Sequence, residues 1–582
     1  GGIMCASDII GDWLTKQSVT NTEYQSYKAF NSYLYDEFGA NHAVSEQGYV
    51  QRFLLLQWYQ FHRMGYVCTT VNDLIEPSSL LHALYLRLKG DEWTHDFIRQ
   101  TLEALPIKVG FRPFILEEDR LYMHRYWVYE QYIADWLNQN RQTNSSFLSD
   151  NVLPISLSEY KDWVSNNFAE LDDAKLKVLF QIFNSRFSII TGGPGTGKTF
   201  TLEKILRVYQ HWFPNKSVVL AAPTGKAAKR MEQSIASDLI EVYGSPMTIH
   251  RMLHAQWDGT FRRTKKNKLS ADLIIIDEAS MIDIDLFYHV LTALDHHTQL
   301  VLLGDHHQLE SVEAGNLLGD LCAISSEEEK DSSPYQVFEL SRVYRQNEAS
   351  HIPELADAIK KGETDLVEQL LLDSSKADLE WIDAKSDLDM HLPLLSSWAI
   401  NDLEYSLSLL KDSDLKDSYK VLSPYKVGPF GCHSINRIMD ISASKQKAPS
   451  RTSAWYLGRP VIVQVNDPNT NLFNGDMGVC SSITPDMIAK LDGEKEEILV
   501  SRLPRYNLAF ALTIHKSQGS EFDHVLVVLN PEDSPLHTRE LLYTAITRAK
   551  KSVTLLATLE QIKKAVSTST SRRTGLMKKI SS

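Results

Sequence analysis

Thr191-Gly192-Gly193-Pro194-Gly195-Thr196-Gly197-Lys198-Thr199, entered from Phe187-Ser188-Ile189-Ile190, satisfies the pattern GxxxxGK[ST] from Gly192 to Thr199. In a loop of this kind, glycines let backbone amides curl round phosphates. The lysine neutralises β and γ oxygens, and the final hydroxyl reaches Mg²⁺. A glycine-rich turn without nucleotide can match the bare pattern, so the flanks decide. An apolar β run precedes the loop, and Leu202, Ile205, Leu206 and Tyr209 follow at helical spacing on one face. Gly192 to Thr199, with Phe200 next to it, is therefore a candidate nucleoside-triphosphate site, with Lys198 as its cation.

A second apolar strand, Leu273-Ile274-Ile275-Ile276, runs into Asp277-Glu278-Ala279-Ser280. This puts two carboxylates at the C-terminal edge of a parallel sheet, where α/β proteins bind ligands. Asp277 is expected to hold Mg²⁺ together with Thr199, and Glu278 to orient or deprotonate a water. A plain solvated strand end is the alternative for the pair when it is read without the loop.

Composition sets the outer limits. A chain of 582 residues, 43% hydrophobic and 23% charged, describes a soluble globular protein, of three or four domains at about 150 residues each. The apolar runs fall short of the roughly 20 residues of a membrane span, so no membrane partner is expected. The start, Gly1-Gly2-Ile3-Met4-Cys5, has no basic region followed by an apolar core, and no secretory signal is expected. Cys5, Cys68, Cys322, Cys432 and Cys480 are scattered without CxxC spacing. They suggest packed thiols in a reducing cytosol rather than disulfides or zinc. The net charge of −14 offers no global field for nucleic acid, which leaves only local basic channels.

Such channels have sequence candidates. Val218–Ala222 breaks at Pro223 into a helix that carries Lys226, Lys229 and Arg230 early. The turn at Thr224-Gly225-Lys226 could receive a phosphodiester, or be an ordinary strand-helix turn. Thr248-Ile249-His250 follows. Then Trp257 and Phe261 precede Arg262-Arg263-Thr264-Lys265-Lys266-Asn267-Lys268. This basic and aromatic stretch could grip or split DNA, or be a solvated hairpin.

Further motifs supply a resemblance. Leu302-Leu303-Gly304-Asp305-His306-His307-Gln308-Leu309-Glu310-Ser311-Val312-Glu313-Ala314-Gly315 resembles motif III of superfamily 1 helicases in its RecD-family form. Leu340–Gln346, with Tyr344 and Arg345, is similar to motif IV. Ala511–Asp523 is similar to motif V and Leu542–Lys550 to motif VI. Outside the motor motifs, Gly65–Cys68, Asp119–Trp127, Gly428–Gly431 and Asn471–Gly478 also resemble that family.

The resemblance implies an ATP-dependent 5′→3′ DNA helicase or translocase using ATP and Mg²⁺. Such a subunit works on single-stranded and duplex DNA beside RecB-like and RecC-like subunits in a heterotrimer. The setting implied is double-strand break repair and homologous recombination in bacterial cytoplasm. No nuclease constellation stands out, so cutting falls to a partner. Arg345 and Arg548 are implied as cis arginine fingers, and Gln308 as a link between γ-phosphate and DNA. Tyr344 is implied on adenine and Glu521 on ribose. The implied DNA contacts are Thr224, Gly225, Lys226, Thr248 and His250 on one lobe, and Thr513, His515, Lys516 and Gln518 on the other. One departure stands: Leu171–Lys177 lacks the glutamine that RecD-like chains use to read adenine, and Gln181 sits too close to the strand. Alternatives of different character are a standalone RecD-type helicase, which usually has a longer front end, a nucleotide-dependent DNA-binding switch without processive unwinding, and an RNA-directed helicase.

The expected fold is α/β: two RecA-like parallel-sheet motor lobes, a helical N-terminal domain and a small inserted β-barrel. The boundaries are expected at 1–150 for the helical, partner-binding front, which ends in a polar break at Asn138–Ser149. Lobe one follows at 151–335, with a small hairpin insertion at about 254–270. Lobe two spans 336–582, with an SH3-like barrel at about 428–505. The Ser/Thr/Lys-rich tail after Ser567 reads as mobile.

Overall fold

The computed structural model describes residues 21–38, 46–75, 94–105, 114–151, 156–168, 173–310, 315–327, 334–341, 349–411, 414–447, 454–491, 497–569 and 574–581. The front combines helices at Asn21–Phe38, Glu46–Arg63, Val71–Ile75 and His95–Glu103 with a small antiparallel sheet. Its strands β1 (Cys68–Thr70), β2 (Phe114–Glu117) and β3 (Arg120–Met123) are ordered β1-β3-β2. A helix then runs from His124 to Asn151. The front is thus not purely helical, and the polar stretch 138–149 continues the helix instead of breaking it. Polar residues need not end a helix, because its backbone bonds are made internally.

Lobe one is a parallel sheet of β4 (Phe187–Gly192), β5 (Val218–Ala222), β6 (Met247–Thr248), β7 (Leu273–Ile276), β8 (Gln299–Gly304) and β9 (Gln336–Leu340), ordered β6-β5-β7-β8-β4-β9. Alternate side chains serve two cores, which explains the unbroken apolar runs of β4, β7 and β8. Ile189, Ile274, Ile276 and Leu302 face one core with the 124–151 helix. Ile190, Ile275, Val301 and Leu303 face the other, with Leu202, Ile205 and Tyr209 of the Lys198–Trp212 helix. The boundary at 335 is corrected. β9 pairs in parallel with β4 from Ser188↔Gln336 to Gly192↔Leu340 and completes lobe one. The acidic segment before it looks like a linker in sequence, yet the chain returns to the same sheet.

Lobe two is a second parallel sheet. It begins with β10 (Leu379–Ile382) and β11 (Tyr419–Ser423), and is then interrupted by an antiparallel insert. The insert consists of β12 (Pro460–Val463), β13 (Met477–Ser482), β14 (Ile488–Leu491), β15 (Ile498–Leu499) and β16 (Tyr506–Leu508), ordered β15-β14-β13-β12-β16. β17 (Ala511–Thr513), β18 (Phe522–Val528) and β19 (Ala549–Leu556) then complete the lobe in the order β10-β19-β18-β11-β17. The insert is narrower than 428–505. The Cys432–Lys447 helix packs with Leu395, Trp398 and Val421 through Ile435 and Met439, and belongs to lobe two.

The segment 254–270 carries the isolated bridges Ala255↔Phe261 and Thr264↔Asn267 rather than a regular hairpin ladder. The expectation of a mobile tail is also corrected: residues Leu576–Ser581 form a helix whose Leu576 and Ile580 are buried in lobe one's core. Cys68, Cys322, Cys432 and Cys480 are buried free thiols, and Cys5 lies outside the described residues. No helix among the described residues is long and apolar enough to cross a membrane.

Candidate nucleotide site and interlobe cleft

At the exit of β4 the chain turns through Gly195 (φ 73°) and Gly197 (φ 90°), the second preceding the Lys198 helix. Side chains rarely adopt this left-handed region, so glycine is required where the loop wraps its amides inward. A Cβ at Gly192 would lie 2.4 Å from Thr196 Oγ1. Thr196 Oγ1 instead donates to the Gly193 carbonyl at 2.6 Å, which pins the loop's curl. Lys198 Nζ donates to the carbonyls of Gly192 and, at 3.2 Å, of Gly193. The lysine is thus folded over the loop.

A cavity of about 590 Å³ opens here. Its walls include Gly193 to Phe200, Asp277, Glu278 and Gln308 from lobe one, and Gly519, Glu521 and Arg548 from lobe two. Lys198 and Arg548, 350 positions apart in sequence, therefore line one space. Asp277, half-buried beside Glu278, has its carboxyl pushed up to about 7, chiefly by desolvation and then by its neighbour's charge, with Lys198 opposing. Excess negative charge beside an anion-binding loop fits a site made for a divalent cation with a polyphosphate. Glu278 adopts a left-handed backbone (φ 54°) at the turn that aims it into the cavity.

Arg548 is buried and uses three of its N–H groups internally. Nε donates to Thr544 O (3.0 Å), Nη1 to Ser520 O (3.1 Å) and Nη2 to Thr547 Oγ1 (3.2 Å). Guanidinium has five donors, so this clamp aims the head group and still leaves N–H capacity toward the cavity. Tyr344 and Arg345 lie outside the described residues, as do Ser311–Ala314.

Sequence reading missed how tightly the Asp305–Glu310 loop is held by lobe two. Tyr543 OH donates to Asp305 Oδ2 at 2.8 Å, and the Leu309 N–H donates to Thr544 Oγ1 at 2.8 Å. Leu309 itself sits in lobe two's apolar core with Leu512, Ile514 and Leu541. Gln518, expected on DNA, is buried and donates to the Leu309 carbonyl at 2.8 Å, so its amide serves this junction. Only the adjacency of Tyr543 and Thr544 to Arg548 hinted at this in sequence. On the P-loop side, burial lowers the imidazoles of His306 and His307, the latter to about 4, and both are neutral at physiological pH.

The expected DNA hydroxyls share one local structure. Thr224, Thr248 and Thr513 each cap a helix, accepting from Ala227 N (3.1 Å), Arg251 N (3.1 Å) and Lys516 N (3.2 Å). Each cap oxygen is an acceptor in these bonds, so its own proton stays available to a phosphate. Lys226 reaches across the cleft, donating to Ser520 Oγ at 2.6 Å and Gly475 O at 3.4 Å. Phe473 of the insert lies against Gly225, where a Cβ would meet its ring at 2.7 Å. Lys516 bonds Asn474 Oδ1, and burial and then Lys426 lower its pKa. His250 is lowered by burial and lies 5.9 Å, ring to ring, from Phe261. His515 is half-buried, whereas Trp257 stands 99% exposed. Gln181 is exposed and is not among the residues lining the cavity, so the missing adenine reader is not recovered there.

Two sequence families match within the motor: the AAA domain over residues 175–314 and the UvrD-like helicase C-terminal domain over 508–556. The chain is 33% identical over 510 residues to the RecBCD enzyme subunit RecD of Mycolicibacterium smegmatis, covering 82% of this chain and 85% of that one. It is 31% identical over 535 residues to its counterpart in Haemophilus influenzae, covering 80% and 81%. An ATP-dependent RecD2 DNA helicase of Deinococcus radiodurans is 29% identical over 395 residues, 67% of this chain and 50% of that one.

Two parallel-sheet lobes, a P-loop on one and an arginine from the other facing the same cavity define a superfamily 1 helicase motor. Within that class the chain belongs to the RecD family, the RecD subunits of RecBCD enzymes.

Proposed function

We propose that this chain is an ATP-driven DNA helicase and the RecD component of a RecBCD-type helicase-nuclease. In this reading it moves 5′→3′ along single-stranded DNA during double-strand break repair and recombination in the bacterial cytoplasm. The observation that carries the reading is the single cavity lined by Lys198 from one lobe and Arg548 from the other. Phosphate loss in a pocket shared by two lobes is felt as a change in the force between them.

Bound Mg²⁺–ATP would supply the scissile β–γ phosphoanhydride. Gly192 to Thr199 would cradle its phosphates, with Phe200 beside them, while Thr199 and Asp277 hold the ion and Lys198 offsets oxyanion charge. Glu278 would orient the attacking water. Arg548, with Arg345 as its counterpart, would stabilise charge on the transferring phosphoryl group. Gln308 would sense the γ-phosphate, Glu521 would bind ribose, and Tyr344 would stack on the base.

The DNA track in this reading runs over the capped turns at Thr224, Thr248 and Thr513, with Gly225, Lys226, His250, His515 and Lys516 alongside. Such donors bind phosphates without reading bases. The front, residues 1–150, would hold RecB-like and RecC-like partners. The insert, read as a small barrel, would guide DNA between Phe473 and lobe one. The first motor lobe would run from about 151 through β9, and the second from there to the end of the sequence.

Steady-state ATP hydrolysis with and without single-stranded DNA tests the reading, and strong stimulation is expected. Its absence would favour a nucleotide-dependent switch. Polarity is checked by unwinding of a 5′-tailed but not a 3′-tailed duplex, and DNA selectivity by competition with RNA. DNA affinity should also fall steeply with salt despite the acidic total. A flat response would mean that the track does not exist.

A further inference from the structure

At the C-terminal edge of lobe one's sheet, strand order gathers two imidazoles and a carboxylate that the ATPase reading does not use. β4 lies between β8 and β9, so Thr191 stands opposite both Gly304 and Glu339. His306 and His307 follow Gly304 by two and three residues and therefore emerge beside Glu339. One ligand-capable atom from each of the three side chains lies within 4.8 Å of the others. The imidazoles are half-buried with ring centroids 3.8 Å apart, while Glu339 is exposed and leaves a path from solvent. The His306 ring is also fixed from behind: Nδ1 is 2.7 Å from Thr191 Oγ1, which accepts from the His306 backbone N–H at 3.2 Å. Support of this kind orients imidazoles that bind metals.

We propose that His306, His307 and Glu339 form a site for a transition-metal ion, best matched by Zn²⁺ and distinct from the Mg²⁺ of the nucleotide. Two imidazoles and a carboxylate are the ligand set of an open zinc site, with water completing the tetrahedron. Mg²⁺ prefers oxygen ligands in an octahedron and competes poorly for such a set. A tetrahedral ion roughly 2.0–2.2 Å from each ligand needs ligand atoms about 3.3–3.6 Å apart. The separations, up to 4.8 Å, would have to shorten to that range on binding, and the exposed Glu339 side chain has the room to do so. The ion would tie the exit of β8 to β9 and brace the Asp305–Glu310 loop that Tyr543 and Thr544 grip from lobe two. It acts as a brace and touches no reacting atom.

The test is Zn²⁺ titration of the tag-free, chelator-stripped full chain against a chromophoric chelator, with thermal melting in parallel. Asp295, His296 and His297 form a second cluster, so His296→Asn/His297→Asn serves as the control. The expected result is one competing site per chain and a Zn²⁺-dependent rise in melting temperature. Glu339→Gln and His307→Asn should each weaken binding roughly tenfold or more and abolish the rise, while the control keeps both. The proposal is overturned if the wild-type chain does not compete, if Glu339→Gln and His307→Asn bind as it does, or if only the control loses the site.

Discussion

Two of the junctions that tie the C-terminal half of the chain to the rest of the molecule are made of opposite materials. Beside the nucleotide cavity the Asp305–Glu310 loop is held by three bonds, from Tyr543, Gln518 and the Leu309 amide to Thr544, around one inserted leucine. At the other end of the chain, the tail helix docks on a fully buried carboxylate. Glu130 accepts from Tyr122 OH (2.6 Å) and the Gly575 N–H (3.0 Å), and lies 3.2 Å from Lys579 Nζ. Gly575 is obligatory there, since a Cβ would fall 2.1 Å from Tyr122 OH. Hydrogen bonds such as those of the first junction contribute about 0.5–3 kcal/mol each and can exchange within a nucleotide cycle. Breaking a buried ion pair costs about 3–5 kcal/mol. The first junction can therefore yield one bond at a time, whereas the second opens only by stranding a buried charge.

The sharpest way to separate chemistry from mooring is Lys198→Gln. It removes one charge from the anion site and touches neither junction. ATP turnover should fall roughly a hundredfold or more while the melting temperature holds, and retained hydrolysis would refute the site assignment. Glu130→Gln is the reverse experiment. It should lower stability by about 3–5 kcal/mol and expose the tail to limited proteolysis, with hydrolysis per folded molecule preserved. If the variant melts like the parent, the mooring is not what holds the tail. Tyr543→Phe comes next, deleting one hydroxyl that bonds Asp305. A loss of about 1–3 kcal/mol at the cleft should reduce stimulation of ATPase by single-stranded DNA more than the basal rate. An equal drop in both would place Tyr543 in the chemistry rather than in coupling.

The two junctions also differ in how far they could be read from sequence. The P-loop and Asp277-Glu278 are legible because their chemistry needs particular residues at fixed local spacing, and the segment around Arg548 through its resemblance to a helicase motif. The shared cavity then follows from two sheets meeting. Nothing local marks Glu130 or Lys579: each looks like a solvated charge on a helix until Tyr122, Gly575 and each other surround them. The tail's composition suggests mobility, yet Leu576 and Ile580, four apart on one helix face, were apolar anchors in plain view. A motif fixes that Gln518 occurs but not what it bonds to, since its partner, Leu309, lies 209 positions away. Sequence places β9 in the second lobe for a related reason, since an acidic, Ser-rich run marks a loop but not which sheet the chain enters next.

The mooring also has a titration of its own. Asp320 accepts from Thr574 Oγ1 at 2.8 Å at the start of the tail, and its carboxyl is pushed up to about 7, mainly by burial, with Thr574 opposing. Folding thus raises the pKa above the ordinary 3.8. In between, the folded chain holds a proton that the unfolded chain has released. The contribution of Asp320 to stability is then complete below the unfolded value and is lost as pH rises through about 7. Asp320→Asn keeps the shape and removes the titration. The melting temperature of the variant relative to the wild type should therefore climb between about pH 5 and 8, since other titrating groups cancel in the difference. Parallel curves would show that Asp320 stays ionised beneath the tail. The second junction would then depend on Glu130 and the two apolar anchors alone.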